Sequence, residues 1–297
     1  MNIISSSYLQ YNNSYPKLQN SKNNFGAGWS AKIEKEIQNC NIFQVSGTFT
    51  KQGIDTDFKD NKVVAWCSLK TLEIFNKLNK KYKLKLALPK AIYVEDFTKL
   101  KEQDPNEYGL CNWYPAYLKK RSDKVYSERT ILFNSFESNK KNDNSDEYEW
   151  TNINEITERF YKDNFLSSGH FLGIFIHEFS HSAHNANLIS KFNPKEFLDK
   201  INRFTSWEYS MQYNKTFREL INISKRAAEE PFEAISEDMT KKITDSLDEL
   251  ILLPAKNPFK KSLYPVSPAL KTSKVNVEKN AEASKVLRKI WEGEDIF

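Results

Sequence analysis

The sequence predicts an α+β fold, with a small mixed sheet in the N-terminal lobe, a central helix carrying His177-Glu178-Phe179-Ser180-His181, and a mainly helical C-terminal lobe. Three observations carry this expectation. Two short runs, Ala91-Ile92-Tyr93-Val94 behind Pro89 and Arg129-Thr130-Ile131-Leu132-Phe133-Asn134, read as strands. Residues 151–250 read as successive helices with recognisable starts. Between them, Phe171 to Ile176 is strongly apolar and Phe179 continues it, which puts the central helix in the interior.

Each element has its own local reason. In Thr71 to Leu84 the apolar residues Leu72, Phe75, Leu78 and Tyr82 recur near helical spacing, with lysines on the outer face. Lys140 to Asp146 is polar and charged, a loop between the two halves. Glu155 to Asn164 is read as a helix. The central helix is expected to open near Ser168, a suitable N-cap, and to run past His184. Asn193-Pro194 starts a helix through Phe204. Glu230-Pro231 starts another, since proline suits the first helical position. From Leu252 the chain carries Pro254, Pro258, Pro265 and Pro268 and is expected to wrap, before an amphipathic helix from Val277 to Trp291. No internal repeat is present. The expected organisation is a mobile leader over 1–30, one domain over 31–250, and an extension over 251–297.

Composition narrows the function classes. The chain has 297 residues with 44 Lys and Arg against 39 Asp and Glu, a net charge of +5. Because the lysines are interspersed with acids, the surface reads as solvated, not as a nucleic-acid stripe. No charge-free apolar stretch reaches the roughly 18 residues a membrane helix needs, so no membrane span is expected. The start lacks the charged and apolar regions of a cleavable signal, which implies synthesis in the cytoplasm. Cys40, Cys67 and Cys111 are three, widely spaced and without a C-x-x-C pair; they imply neither a disulfide framework nor a thiolate metal site. A monomer is expected.

The chemistry lies in residues 177–181, which use two of the chain's four histidines. Residues four apart sit one turn apart on one helix face, so His177 and His181 can offer imidazole nitrogens to one Zn2+. Glu178 is rotated by about 100°, near enough to reach a water on that ion without becoming a ligand itself. The combination can activate water at neutral pH and accept its proton within one turn. The competing explanation, a hydrogen-bonded core pair, leaves buried polar groups needing other partners.

A catalytic zinc needs a third protein ligand. His184 shares the face but lies about 10 Å along the axis from His177, too far for a straight helix to wrap around one ion. It fits a neighbour lining the cleft or capping a polar contact. His170 fits still less well. Ser224 to Glu237 offers carboxylates instead: Glu229, Glu230, Glu233 and Glu237, in two E-x-x-x-E pairs. In such a pair the first can bind metal and the second accept the free N–H of a ligating His. Glu229 and Glu230 also suit a solvated first turn. The Ala and Ile around Glu233 favour burial there, and Glu229 stays open as an alternative.

His177-Glu178-Phe179-Ser180-His181 followed by Ser224, Ala227, Pro231, Glu233 and Glu237 in the pattern S-x-x-A-x-x-x-P-x-E-x-x-x-E resembles the gluzincin metallopeptidases. Within them it is most similar to the anthrax lethal factor-type catalytic domain and its bacterial relatives, over roughly residues 70–245. The resemblance implies a zincin-like fold, with His177, His181 and Glu233 as zinc ligands, Glu178 as general base and Glu237 as the carboxylate behind a ligand His. Relatives often carry a tyrosine seven residues before the ligand Glu. Here that position is Arg226, a candidate catalytic residue because a guanidinium can also stabilise negative charge, or a bridge to Glu229 or Glu230. The resemblance also implies a substrate-side strand before the central helix, which Thr130 to Asn134 fits; a peptide could add to its edge.

The expected activity is zinc-dependent cleavage of a protein or peptide. Residues 1–30 hold six Ser, six Asn and no acid, resembling the uncleaved export signals of bacterial effectors. That likeness implies secretion into a host cell and a host protein as substrate; the same composition fits an unstructured terminus. Two rival functions stand beside it. One is a catalytically inactive, zinc-stabilised protein-binding module, against which an intact Glu178 speaks. The other is a zinc hydrolase acting on non-peptide bonds.

Overall fold

A computed structural model describes residues 31–100, 108–111, 126–135, 153–248, 253–254, 257–259 and 274–297. The expected leader, the Lys140–Asp146 loop, Pro265 and Pro268 lie outside these residues. The architecture is mixed α and β, with a small four-stranded mixed sheet. In chain order the elements begin with α1 (Ala31–Gln38), α2 (Ile42–Thr50), β1 (Asp55–Asp57), α3 (Lys62–Tyr82), β2 (Ala91–Glu95), β3 (Gly109–Cys111) and β4 (Thr130–Asn134). They continue with α4 (Ile153–Lys162), α5 (Gly173–Ile189), α6 (Pro194–Phe204), α7 (Trp207–Phe217), α8 (Lys225–Glu229) and α9 (Pro231–Thr244). A β5–β6 pair (Leu247–Asp248, Leu253–Pro254) and α10 (Lys274–Glu292) follow.

Strand order in the main sheet is β1-β2-β4-β3. β1 and β4 both run parallel to β2, and β3 runs antiparallel to β4. This corrects the expectation that Thr130 to Asn134 offers an edge. β4 lies between two strands with all five residues buried, so its backbone groups are already paired. Among the described residues the edge strands are β1 and β3.

The central helix α5 lies between the sheet and α9. Each residue turns about 100°, so Phe175 and Phe179 share one face and His177 and His181 lie about 200° round from it. The phenylalanine face packs inward: Phe175 meets Phe133 of β4 at 4.7 Å between ring centroids, and Phe179 meets Phe75 of α3 at 5.4 Å. The histidine face is thereby turned to α9. α5 begins at Gly173, not near Ser168. Ser168 Oγ accepts instead from the His170 N–H at 3.1 Å, and His170 Nδ1 accepts from Leu172 N–H at 3.1 Å. The serine caps a turn ahead of the helix rather than the helix.

Other boundaries follow their caps. Asn193 and Glu196 exchange side-chain and backbone bonds as a capping box for α6. α3 starts well before the expected Thr71, because Asn61 Oδ1 accepts from Val64 N–H at 3.0 Å. α4 runs slightly ahead of its expected span, and Asn164, with φ of 56°, turns the chain after it.

The closing helix α10 joins the main core: Ala283, Val286, Leu287, Ile290 and Trp291 share one apolar cluster with residues from Ile33 onward. His184 ties it to α5, its Nε2 3.1 Å from the Ile290 carbonyl and its ring stacked on Trp291. Asn187 donates to the Trp291 carbonyl at 2.6 Å. Gly293 stops the helix with φ of +70°, and a Cβ there would lie 2.7 Å from Phe192 Cε2.

Burial makes stability sensitive to acid. It holds His184 down to about 3 against the Ile290 carbonyl, and His170 down to about 4. Both values lie below the roughly 6.5 of an unfolded His, so below that pH the unfolded chain binds more protons. The contribution of these two histidines to stability is complete above pH ~6.5 and falls as pH drops towards 4 and 3. His184→Gln keeps a donor for Ile290 but cannot titrate. Its urea stability is expected to fall about 2–3 kcal/mol less than the parent's between pH 7 and 4.5; equal losses would remove His184 from this role.

Candidate metal centre

Three side chains converge between α5 and α9. His177 Nε2 lies 3.0 Å from His181 Nε2 and 3.1 Å from Glu233 Oε2, and His181 Nε2 lies 3.3 Å from Glu233 Oε1. Among the described residues, these three form a group able to hold a metal ion, their ligand atoms all within 4.8 Å of one another. Both imidazoles are buried. Ligands about 2.0–2.2 Å from a tetrahedral zinc stand roughly 3.3 Å apart, close to the separations here. Two imidazole lone pairs facing at this distance repel unless a proton or cation lies between them. The donor set therefore fits zinc in type, number and spacing.

The local fold explains the convergence. Pro231 at the first position of α9 and extended Glu230 before it break the chain after α8. The break lets Glu233 enter a helix packed along α5 while Glu229 stays on the short α8. Glu237, one turn beyond Glu233, places Oε1 2.9 Å from His177 Nδ1. The carboxylate faces the Nδ1 side of the ring, so that Nε2 is the nitrogen turned to the cluster. Ser167 anchors Glu237 in turn: its N–H donates to Oε2 at 2.5 Å, and its Oγ–H to the Glu237 carbonyl at 2.8 Å. Nothing in the residue pattern marked Ser167, whose partner is distant in sequence.

Charge is arranged around the carboxylates. Burial alone would raise Glu233, but Arg226, His181 and His177 outweigh it and hold the carboxyl well below its usual range. Burial would also raise Glu237; its bond to His177 and nearby positive charge lower it. Burial would lower His177, yet Glu233 and Glu237 raise it to about 10. His181 is lowered by burial, only partly offset by Glu233. The metal-free site thus holds a proton on the imidazole pair, which an incoming cation displaces. Burial moves Glu229 the opposite way from Glu233, upward.

The remaining candidates separate clearly. Arg226 reaches Glu233 itself, Nε donating to Oε2 at 2.6 Å, rather than bridging only its neighbours in sequence. His184 and His170 are engaged as described above, outside the cluster. Glu178 is buried and turned towards β3, where Gly109 lies against its side chain. Cys111, two residues on, is buried there too; burial raises its thiol pKa and the Glu178 charge adds to that. No helix among the described residues is long and apolar enough to cross a membrane.

Compared with family models, curated proteins and solved structures, the chain matches none.

Proposed function

We propose that the protein is a zinc-dependent endopeptidase of the gluzincin type, with a zincin-like fold. The observation that carries this reading is the meeting of His177, His181 and Glu233 from two helices, with Glu178 adjoining them in sequence. When bound, zinc would polarise a scissile carbonyl and lower the pKa of water. His177, His181 and Glu233 would hold it, with Glu237 orienting His177. Glu178 takes the proton of the attacking water and passes it to the leaving amine. Arg226 carries positive charge at the carboxylate ligand, where it can offset charge developing on the substrate oxygen. β3, beside Glu178, is an edge strand among the described residues, a position that suits an extended peptide added as a further strand.

The test is to sequence newly formed N-termini in a cell lysate incubated with the zinc-loaded protein. New termini are expected, absent after chelation and restored by added zinc. None at any zinc loading would overturn the peptidase reading and leave a zinc-stabilised binding module.

A further inference from the structure

β3 runs so close to α5 that a side chain at one of its residues would press on its neighbour by a few tenths of an ångström. A Cβ built at Gly109 would lie 3.0 Å from Glu178 Cγ and 3.3 Å from both Cδ and Oε1. The backbone does not ask for glycine here: the positive-φ glycines among the described residues are Gly53 and Gly293. Space does. Gly109 stands opposite Phe133 in the β3–β4 register, and residues directly opposed in an antiparallel pair point to the same face. Phe133 fills its part of that face against Phe175 at 4.7 Å. The neighbouring gap, left by the missing side chain, holds the Glu178 side chain. Glu178 is buried, only 4 % exposed, so it has little freedom to move aside.

We propose that Gly109 is a positioning residue: the lack of a Cβ at this point of the edge strand sets where the Glu178 carboxylate lies. For catalysis this rests on the peptidase reading, since Gly109 would act only through Glu178.

The experiment is a double-mutant cycle of Gly109→Ala and Glu178→Ala, read as Tm of the metal-free protein. Gly109→Ala is expected to lower Tm by several degrees in the parent and by less than a third as much in the Glu178→Ala background, where the colliding atoms are gone. Equal losses in both backgrounds would overturn the proposal. Should Gly109→Ala alone fail to fold, folding regained in the double variant supports it and failure of both overturns it. In the zinc-loaded protein, Gly109→Ala should lower kcat at least tenfold with KM and zinc affinity within twofold. Unchanged kcat in an active protein would overturn the positioning role. If the parent cleaves nothing, the peptidase reading fails while the Tm cycle still decides whether Gly109 sets Glu178.

Discussion

Glu178→Gln is expected to keep its zinc and lose hydrolysis by about 10³-fold, the middle of the range for a positioned general base. The amide has nearly the shape of the carboxylate and fits the same space beside Gly109, but it cannot take a proton from water. The three residues placed to hold a metal ion are His177, His181 and Glu233, so elemental analysis should find as much zinc in the variant as in the parent. Stability should not fall, because the substitution removes a buried charge. Near-normal cleavage by the variant would falsify the assignment of Glu178 as the base. A protein that only binds a partner would show no difference between the two.

The second large effect is expected on the metal itself. Glu233→Gln should weaken zinc binding by more than about 100-fold, since that is the upper value for losing a mere hydrogen-bond partner of a ligand and the proposed function makes Glu233 a ligand. The variant exchanges an ionised oxygen donor for a neutral amide and removes the carboxylate that Arg226 and both histidines share. Zinc affinity by chelator competition is the readout, with Glu229→Gln as the contrast. Glu229 lies on α8 outside the cluster, so that variant should bind zinc like the parent. The gain in Tm on adding zinc should disappear with Glu233→Gln and persist with Glu229→Gln, because a ligand that binds only the folded state raises stability by mass action. Equal zinc affinity in Glu233→Gln and the parent would remove Glu233 from the site.

How far the residue order alone carried differs from feature to feature. The His177/His181 pair was legible because its spacing is a property of a single helix, the same in any surroundings. The start of α6 was legible because Asn193, Pro194 and Glu196 make their cap within four residues. The start of α5 was misread because Ser168 had two local uses and the turn through His170 took the other. α1, α2 and α7 were not anticipated, nor was β3, whose three residues are too few to show alternation.

By itself, then, the sequence determined the chemistry available: two imidazoles on one helical face, a carboxylate rotated away from them, and a set of glutamates one turn apart downstream. Which glutamate meets the imidazoles was decided by tertiary structure, through the break at Pro231 and the packing of α9 on α5. The same level decided that β4 is interior, that His184 serves α10, and that Gly109 rests on Glu178. The physical reason is common to all of these. Spacing within a helix follows from backbone geometry, whereas contacts between residues far apart in the chain depend on how whole apolar faces pack, which no short window of sequence contains.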